Sequence, residues 1–93
     1  MALTKEIVVD KIEVLEMGQV QVRTATRVKE DGTVLSSSFH WHVLDPSTKS
    51  GDTWADTDIS GEDDRVQAVA NATWTDSVKT AYQEMVDAQA LEE

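Results

Sequence analysis

Cysteine is absent from the 93 residues, so there is no disulfide framework, no thiolate metal site and no cysteine nucleophile. Basic residues are scarce. Eight Lys and Arg stand against 18 Asp and Glu, a formal net charge of −10. A balance of this sign excludes nucleic-acid binding by phosphate neutralisation. No run of about 18 apolar residues occurs, so no membrane-spanning segment is expected, and the opening Met1-Ala2-Leu3-Thr4-Lys5-Glu6 lacks the character of a signal peptide. What is present is a hydrophobic content of 40% in 10.3 kDa. That is ordinary for a globular chain and enough for one small domain over residues 1–93.

The charge is uneven. Residues 1–44 carry five bases and six acids, a net of −1, while residues 45–93 carry three bases and twelve acids, a net of −9. The division coincides with a change of hydrophobic period. Over residues 19–29, Val20, Val22, Thr24, Thr26 and Val28 share one parity, and Gln19, Gln21, Arg23, Arg27 and Lys29 the other. A period of two marks a strand with one buried face. Residues 33–44 repeat it, with Leu35, Phe39, Trp41 and Val43 on one side and Ser36, Ser38, His40 and His42 on the other. Between the two lies Asp31-Gly32, the preferred pair for a type I′ hairpin. A two-residue loop there sets Val28 opposite Leu35, Thr24 opposite Phe39, Val22 opposite Trp41 and Val20 opposite Val43. The expectation is an apolar face made of these pairs and a polar face holding both histidines.

A first strand over about residues 6–16 is joined through Glu16-Met17-Gly18, with Gly18 supplying a left-handed residue. This loop places Val14 opposite Val20 and Ile12 opposite Val22. The result is a three-stranded antiparallel meander over residues 5–45, closed by Asp45-Pro46 because proline cannot donate to a ladder. Residues 46–61 read as a long loop whose Trp54 folds back on the core. Ser60 reads as a helix N-cap with Glu62, Asp63 and Asp64 in the first turn. Val66, Val69, Ala70, Thr73 and Trp74, then Val78, Ala81, Tyr82, Met85 and Val86, follow at helical spacing. Thr75-Asp76-Ser77 interrupts the run, giving two short helices of about 62–73 and 76–90, or one kinked helix, with a fraying tail from Ala90. The fold class is α+β: the meander, covered on one face by the helical layer of residues 62–90.

Three clusters of side chains invite chemistry. His40 and His42 have a chelating spacing, with Glu13 as a third donor one strand away, but an exposed polar face containing two histidines is the preferred reading. Asp56, Asp58, Ser60, Gly61 and Asp64 imitate the start of a calcium loop, yet the twelfth position is Gln67, which offers no bidentate carboxylate. The acids Glu62, Asp63, Asp64, Asp76, Glu84 and Asp87 suggest a surface imitating DNA phosphates; interspersed Lys79 and Arg65 favour a solvated face instead. No phosphate loop, nucleophile motif or dinucleotide fingerprint occurs. No cofactor, no metal and no enzymatic activity are expected.

Several of these segments taken together resemble a known group. They are Val20-Gln21-Val22-Arg23-Thr24-Ala25-Thr26, Glu30-Asp31-Gly32, Ser38 to Leu44 before Pro46, Ser60-Gly61-Glu62, Val66-Gln67-Ala68, Trp74-Thr75 and Ala81-Tyr82. The chain resembles small, mostly uncharacterised proteins encoded by tailed bacteriophages near virion structural genes, often tail genes. Where that group carries a basic residue between the two histidines, this chain has Trp41. The resemblance implies a non-enzymatic phage protein made in the host cytoplasm and located in the virion, as a minor structural or tail/tail-fibre component. Its partners would be other virion proteins or itself as a homo-oligomer, with no nucleic acid and no membrane. The bare sheet face, with Arg23, Arg27, His40 and His42, or an outer edge strand with free backbone groups is the expected contact, the first strand being the edge with few devices against pairing. The alternative is a small acidic early protein that inhibits a host factor as a DNA mimic.

Overall fold

A computed structural model describes residues 2–91. Three long strands, β1 (Leu3–Val14), β2 (Val20–Glu30) and β3 (Thr33–Leu44), form an antiparallel sheet in the order β1-β2-β3. A short hairpin follows, β4 (Ser47–Ser50) with β5 (Thr53–Asp56), and then helices α1 (Asp64–Thr73) and α2 (Asp76–Leu91). The architecture is α+β, as the change of period predicts. Both expected turns form. Asp31 and Gly32 take φ of 51° and 87°, the two left-handed positions of a type I′ turn, and Gly18 takes φ of 88° between β1 and β2.

Residues 46–61 are not a plain loop. Ser47 to Asp56 fold back as β4–β5 with Ser50 opposite Thr53 and Lys49 opposite Trp54, turning through Gly51 at φ 61°. Trp54 packs on α2, its ring 6.1 Å from Tyr82 in an edge-on arrangement. Ser60 is not the cap of α1. That role falls to Asp63, whose Oδ2 accepts from the Arg65 backbone N–H at 3.0 Å. Thr75 caps α2, with its carbonyl accepting from the Lys79 N–H at 3.0 Å and its hydroxyl oxygen meeting the Val78 N–H at 3.4 Å. Of the tail expected to fray, Glu92 and Glu93 lie outside the described residues.

The core is small. Val20, Val22, Val66, Ala70 and Trp74 form its buried centre, with Val9, Ile12, Leu44, Ile59, Val69 and Val78 packed around it. Trp74 donates from its indole Nε1 to the Gly18 carbonyl at 2.7 Å, tying the β1–β2 turn to the helices. The two helices do not share one sheet face equally. α1 lies over β2, whereas α2 meets the core at Val78 and then runs along the small hairpin. There Gln83 donates to Ser47 Oγ at 3.0 Å, and Lys79 and Lys49 pair with Asp56 and Asp87 at 3.0 and 2.9 Å. Helical cover therefore ends over the Val20–Leu44 end of the sheet. The hairpin end projects bare, and the molecule measures 58 × 28 × 22 Å with a radius of gyration of 17.3 Å. A compact chain of this length has about 12 Å.

The register of β1 on β2 follows expectation near the turn, with Val14 opposite Val20 and Ile12 opposite Val22. Beyond Lys11 it shifts by one, leaving Asp10 as the extra residue of a bulge. The β2–β3 register departs more. Glu30 faces Thr33 and Lys29 faces Val34, but Val28 then faces Ser36, with Leu35 unpaired as a second bulge. From there each residue of β3 is displaced by one. His40 opposes Thr24, His42 opposes Val22 and Leu44 opposes Val20, while Phe39, Trp41 and Val43 oppose Ala25, Arg23 and Gln21. The expected pairs of Val28 with Leu35, Thr24 with Phe39, Val22 with Trp41 and Val20 with Val43 do not form. Because side chains alternate along a strand, one bulge sends the aromatic set to the opposite face.

Candidate protein-contact surface

The uncovered face of the sheet is ordered by strand. β1 contributes Glu6 and Asp10, β2 contributes Arg23, Arg27 and Lys29, and β3 contributes Phe39, Trp41 and Val43. The charged residues form a ladder. Lys29 Nζ lies 2.8 Å and Arg27 Nη1 3.5 Å from Glu6 Oε2, and Arg27 Nη2 lies 3.9 Å from Asp10 Oδ2. Arg23 closes the ladder with a two-pronged bond, Nε to Asp10 Oδ1 at 2.9 Å and Nη2 to Oδ2 at 2.7 Å. The bulge is what turns Asp10 onto this face beside Lys11. Its hydrogen bond with Arg23, helped by the Arg23 and Arg27 charges, outweighs desolvation and holds the Asp10 carboxyl below the usual range; the same bond raises Arg23. Lys29 lowers Glu6 in the same way, first by hydrogen bonding and then by its charge.

The pinned guanidinium serves as a floor for the aromatics. Arg23 Cζ sits 4.4 Å from the Phe39 ring centre and 5.7 Å from that of Trp41, and Lys11 Nζ lies 5.7 Å from Trp41. Cation–ring contacts of this kind are worth about 0.5–2 kcal/mol, and they hold the rings in place without covering them. Phe39, Trp41 and Val43 stay 54%, 44% and 51% exposed. Every residue from Asp31 to Trp41 is exposed, and β3 has no strand beyond it among the described residues. From Thr33 to Leu44 the strand holds no charged residue and no proline. Natural edge strands are commonly guarded by such residues, and this one is not.

The four expected contact residues do not share a face. Arg23 and Arg27 lie on the uncovered side, but the Leu35 bulge carries His40 and His42, with Ser36 and Ser38, to the side of the helices. His42 Nε2 meets Glu62 Oε1 at 2.7 Å. Since an ionised carboxylate only accepts, Nε2 carries the proton. The bond pins the end of β3 to the entrance of α1. His40 stacks beside His42 at 6.4 Å and is exposed on the bare part of that face. Glu13 pairs instead with Lys11 at 2.9 Å on the opposite face, so it is no third donor to the histidines. In the acidic loop, Asp56 pairs with Lys79, and Asp58 Oδ1 accepts from the Ser60 backbone N–H at 2.9 Å.

Sequence reasoning overlooked Asp10, Phe39 and Trp41 as surface residues, and placed Glu62 on an acidic helix surface without its bond to His42. Asp10 had a signal, because it interrupts the parity shared by Val8, Ile12 and Val14. Trp41 had one too, in the contrast with the basic residue of the phage group. Comparison with protein families, curated proteins and solved structures finds no match to this chain.

Proposed function

We propose that this is a non-enzymatic protein that works by protein–protein contact, through the uncovered sheet face and the β3 edge. The observation that carries the reading is the exposed Phe39-Trp41-Val43 strip on an unguarded twelve-residue edge strand. Apolar area of this kind, rigidly presented over a pinned arginine, is costly to leave in water and is the usual chemistry of an interface centre. The small core points the same way, since a domain with little buried apolar area gains by association.

The setting we propose is a tailed-phage particle, as a minor virion component of the tail or tail-fibre region. That part rests on the sequence resemblance and not on the geometry. The competing reading, an acidic inhibitor imitating DNA, has less support, because several acids are engaged internally. Glu62 is bonded to His42, Asp63 caps α1, and Asp56 and Asp87 pair with lysines. Quantitative mass spectrometry of purified particles tests the setting. A copy number fixed relative to the major capsid protein is expected. Abundance in infected cells with none in particles would overturn it.

A further inference from the structure

We propose that the occupant of this surface is a second copy of the chain, joined by antiparallel pairing of β3 with β3 about a two-fold axis. The inference rests on the contact reading above and names its partner. The two edges of the sheet are unlike. β1 carries Lys5, Glu6, Asp10, Lys11 and Glu13 and is broken by the Asp10 bulge, so it is poorly suited to a continuing ladder. β3 is uncharged throughout, and the residues before its bulged Leu35 are few. Pairing of β3 with β1 would propagate without end, and the charges and bulge of β1 oppose it. Pairing of β3 with itself is self-complementary and closes at two copies.

Charge selects the partner as well. Nine of the ten net negative charges follow residue 44, in the hairpin and helical half that sits at the Leu44 end of β3. An antiparallel partner places its own acidic half at the opposite end, across a strand of about 40 Å. This is several times the screening length of about 8 Å at physiological salt. A basic partner would be drawn to the acidic half and away from the neutral strand, whereas a second copy is repelled at that half and meets little repulsion along β3. With the two-fold axis perpendicular to the sheet, the uncovered faces join into one. Phe39 and Trp41 of both copies then lie side by side on a six-stranded sheet, and the bare hairpin end of each copy extends beside the helix-covered end of the other.

Light scattering of the full chain over a wide concentration range is the test. The proposal expects a mass of twice 10.3 kDa at high concentration, falling to one chain on dilution. The double variant Ser37→Lys/Phe39→Lys should weaken association at least tenfold with an unchanged circular dichroism spectrum, while Thr4→Lys on the β1 edge should leave it intact. A monomer at every concentration, a mass that keeps growing, or a dimer lost with Thr4→Lys but kept with the β3 variant would overturn it. Should the β3 variant unfold, amide exchange of the unaltered chain decides the matter. Protection of residues 36–43 must rise with concentration, and unchanged exchange refutes the pairing. A monomer that is nonetheless found at fixed copy number in particles would sink this inference alone. A β3-dependent dimer absent from particles would sink only the virion setting.

Discussion

Gly18 is the most demanding position in the fold, and replacing it with alanine shows how tightly the sheet and helices are joined. A Cβ at this residue would stand 2.5 Å from Val78 Cγ1 and 3.1 Å from Pro46 Cγ, and the backbone holds φ at 88°. The left-handed conformation costs an L-residue about 1–2 kcal/mol, and forcing one more carbon into a packed site costs about 1–3 kcal/mol. Gly18→Ala should thus lose about 2–5 kcal/mol, a large part of the roughly 5–14 kcal/mol available to a chain of this size. At about 4–8 °C per kcal/mol, its thermal midpoint should fall by about 8 °C or more. An open cleft of about 150 Å³ beside Val78, lined by Glu16, Met17, Ser77 and Ala81, gives that side chain somewhere to turn and favours the lower half of the range. The second arm is Val78→Ala. In that background the 2.5 Å contact with Val78 is gone and the backbone term and the tighter approach to Pro46 remain, so Gly18→Ala should cost less there, about 1–3 kcal/mol. Urea denaturation of the four proteins measures both numbers. A loss below about 1 kcal/mol in the unaltered background, or equal losses in the two backgrounds, would refute the packing argument.

Two further outcomes follow from the site. Asp10 and Glu6 have lowered carboxyl pKa values, so their stabilisation is complete above their ordinary values of 3.8 and 4.5 and is lost as pH falls through the lowered ones. Asp10→Asn should flatten the acid limb of a stability–pH profile followed by urea midpoint, and superimposable profiles would contradict the ladder. His42→Ala should cost about 0.5–1.5 kcal/mol by breaking its bond to Glu62, whereas His40→Ala should cost almost nothing; equal losses in chemical denaturation would contradict the placement of these two rings.

Much of the fold can be read from the residues because its signals are local. Asp31-Gly32 and Gly18 announce backbone conformations that few other residues adopt, and Thr75-Asp76-Ser77 marks an interruption of the helical run, which the structure shows to be a break between two helices and not a kink. The β4–β5 hairpin left only a weak signal, the turn pair Gly51-Asp52 flanked by Thr48 on one side and Thr53-Trp54 on the other. The Leu35 bulge was not. Val34 and Leu35 are both apolar, and Ser36, Ser37 and Ser38 carry no preference for either face, so residues 34–38 fit either parity. The choice is made by tertiary structure. The inner face near Val22 must accept Glu62 from the entrance of α1, and His42 meets that carboxylate where Trp41 could offer only an indole edge. With the histidines inward, the aromatics face out onto Arg23. The contact surface was therefore hidden by the same rule that usually finds a core, that large apolar residues belong inside.

The account depends on that one bulge, and cross-strand proton contacts measured by nuclear magnetic resonance on the dilute chain test it directly. The structure predicts close backbone contacts of Thr24 with His40 and of Val22 with His42, leaving Phe39 and Trp41 beside Arg23 on the open face. Contacts of Thr24 with Phe39 and of Val22 with Trp41 would mean that the aromatics are core residues, and the proposed interface would have nothing to present.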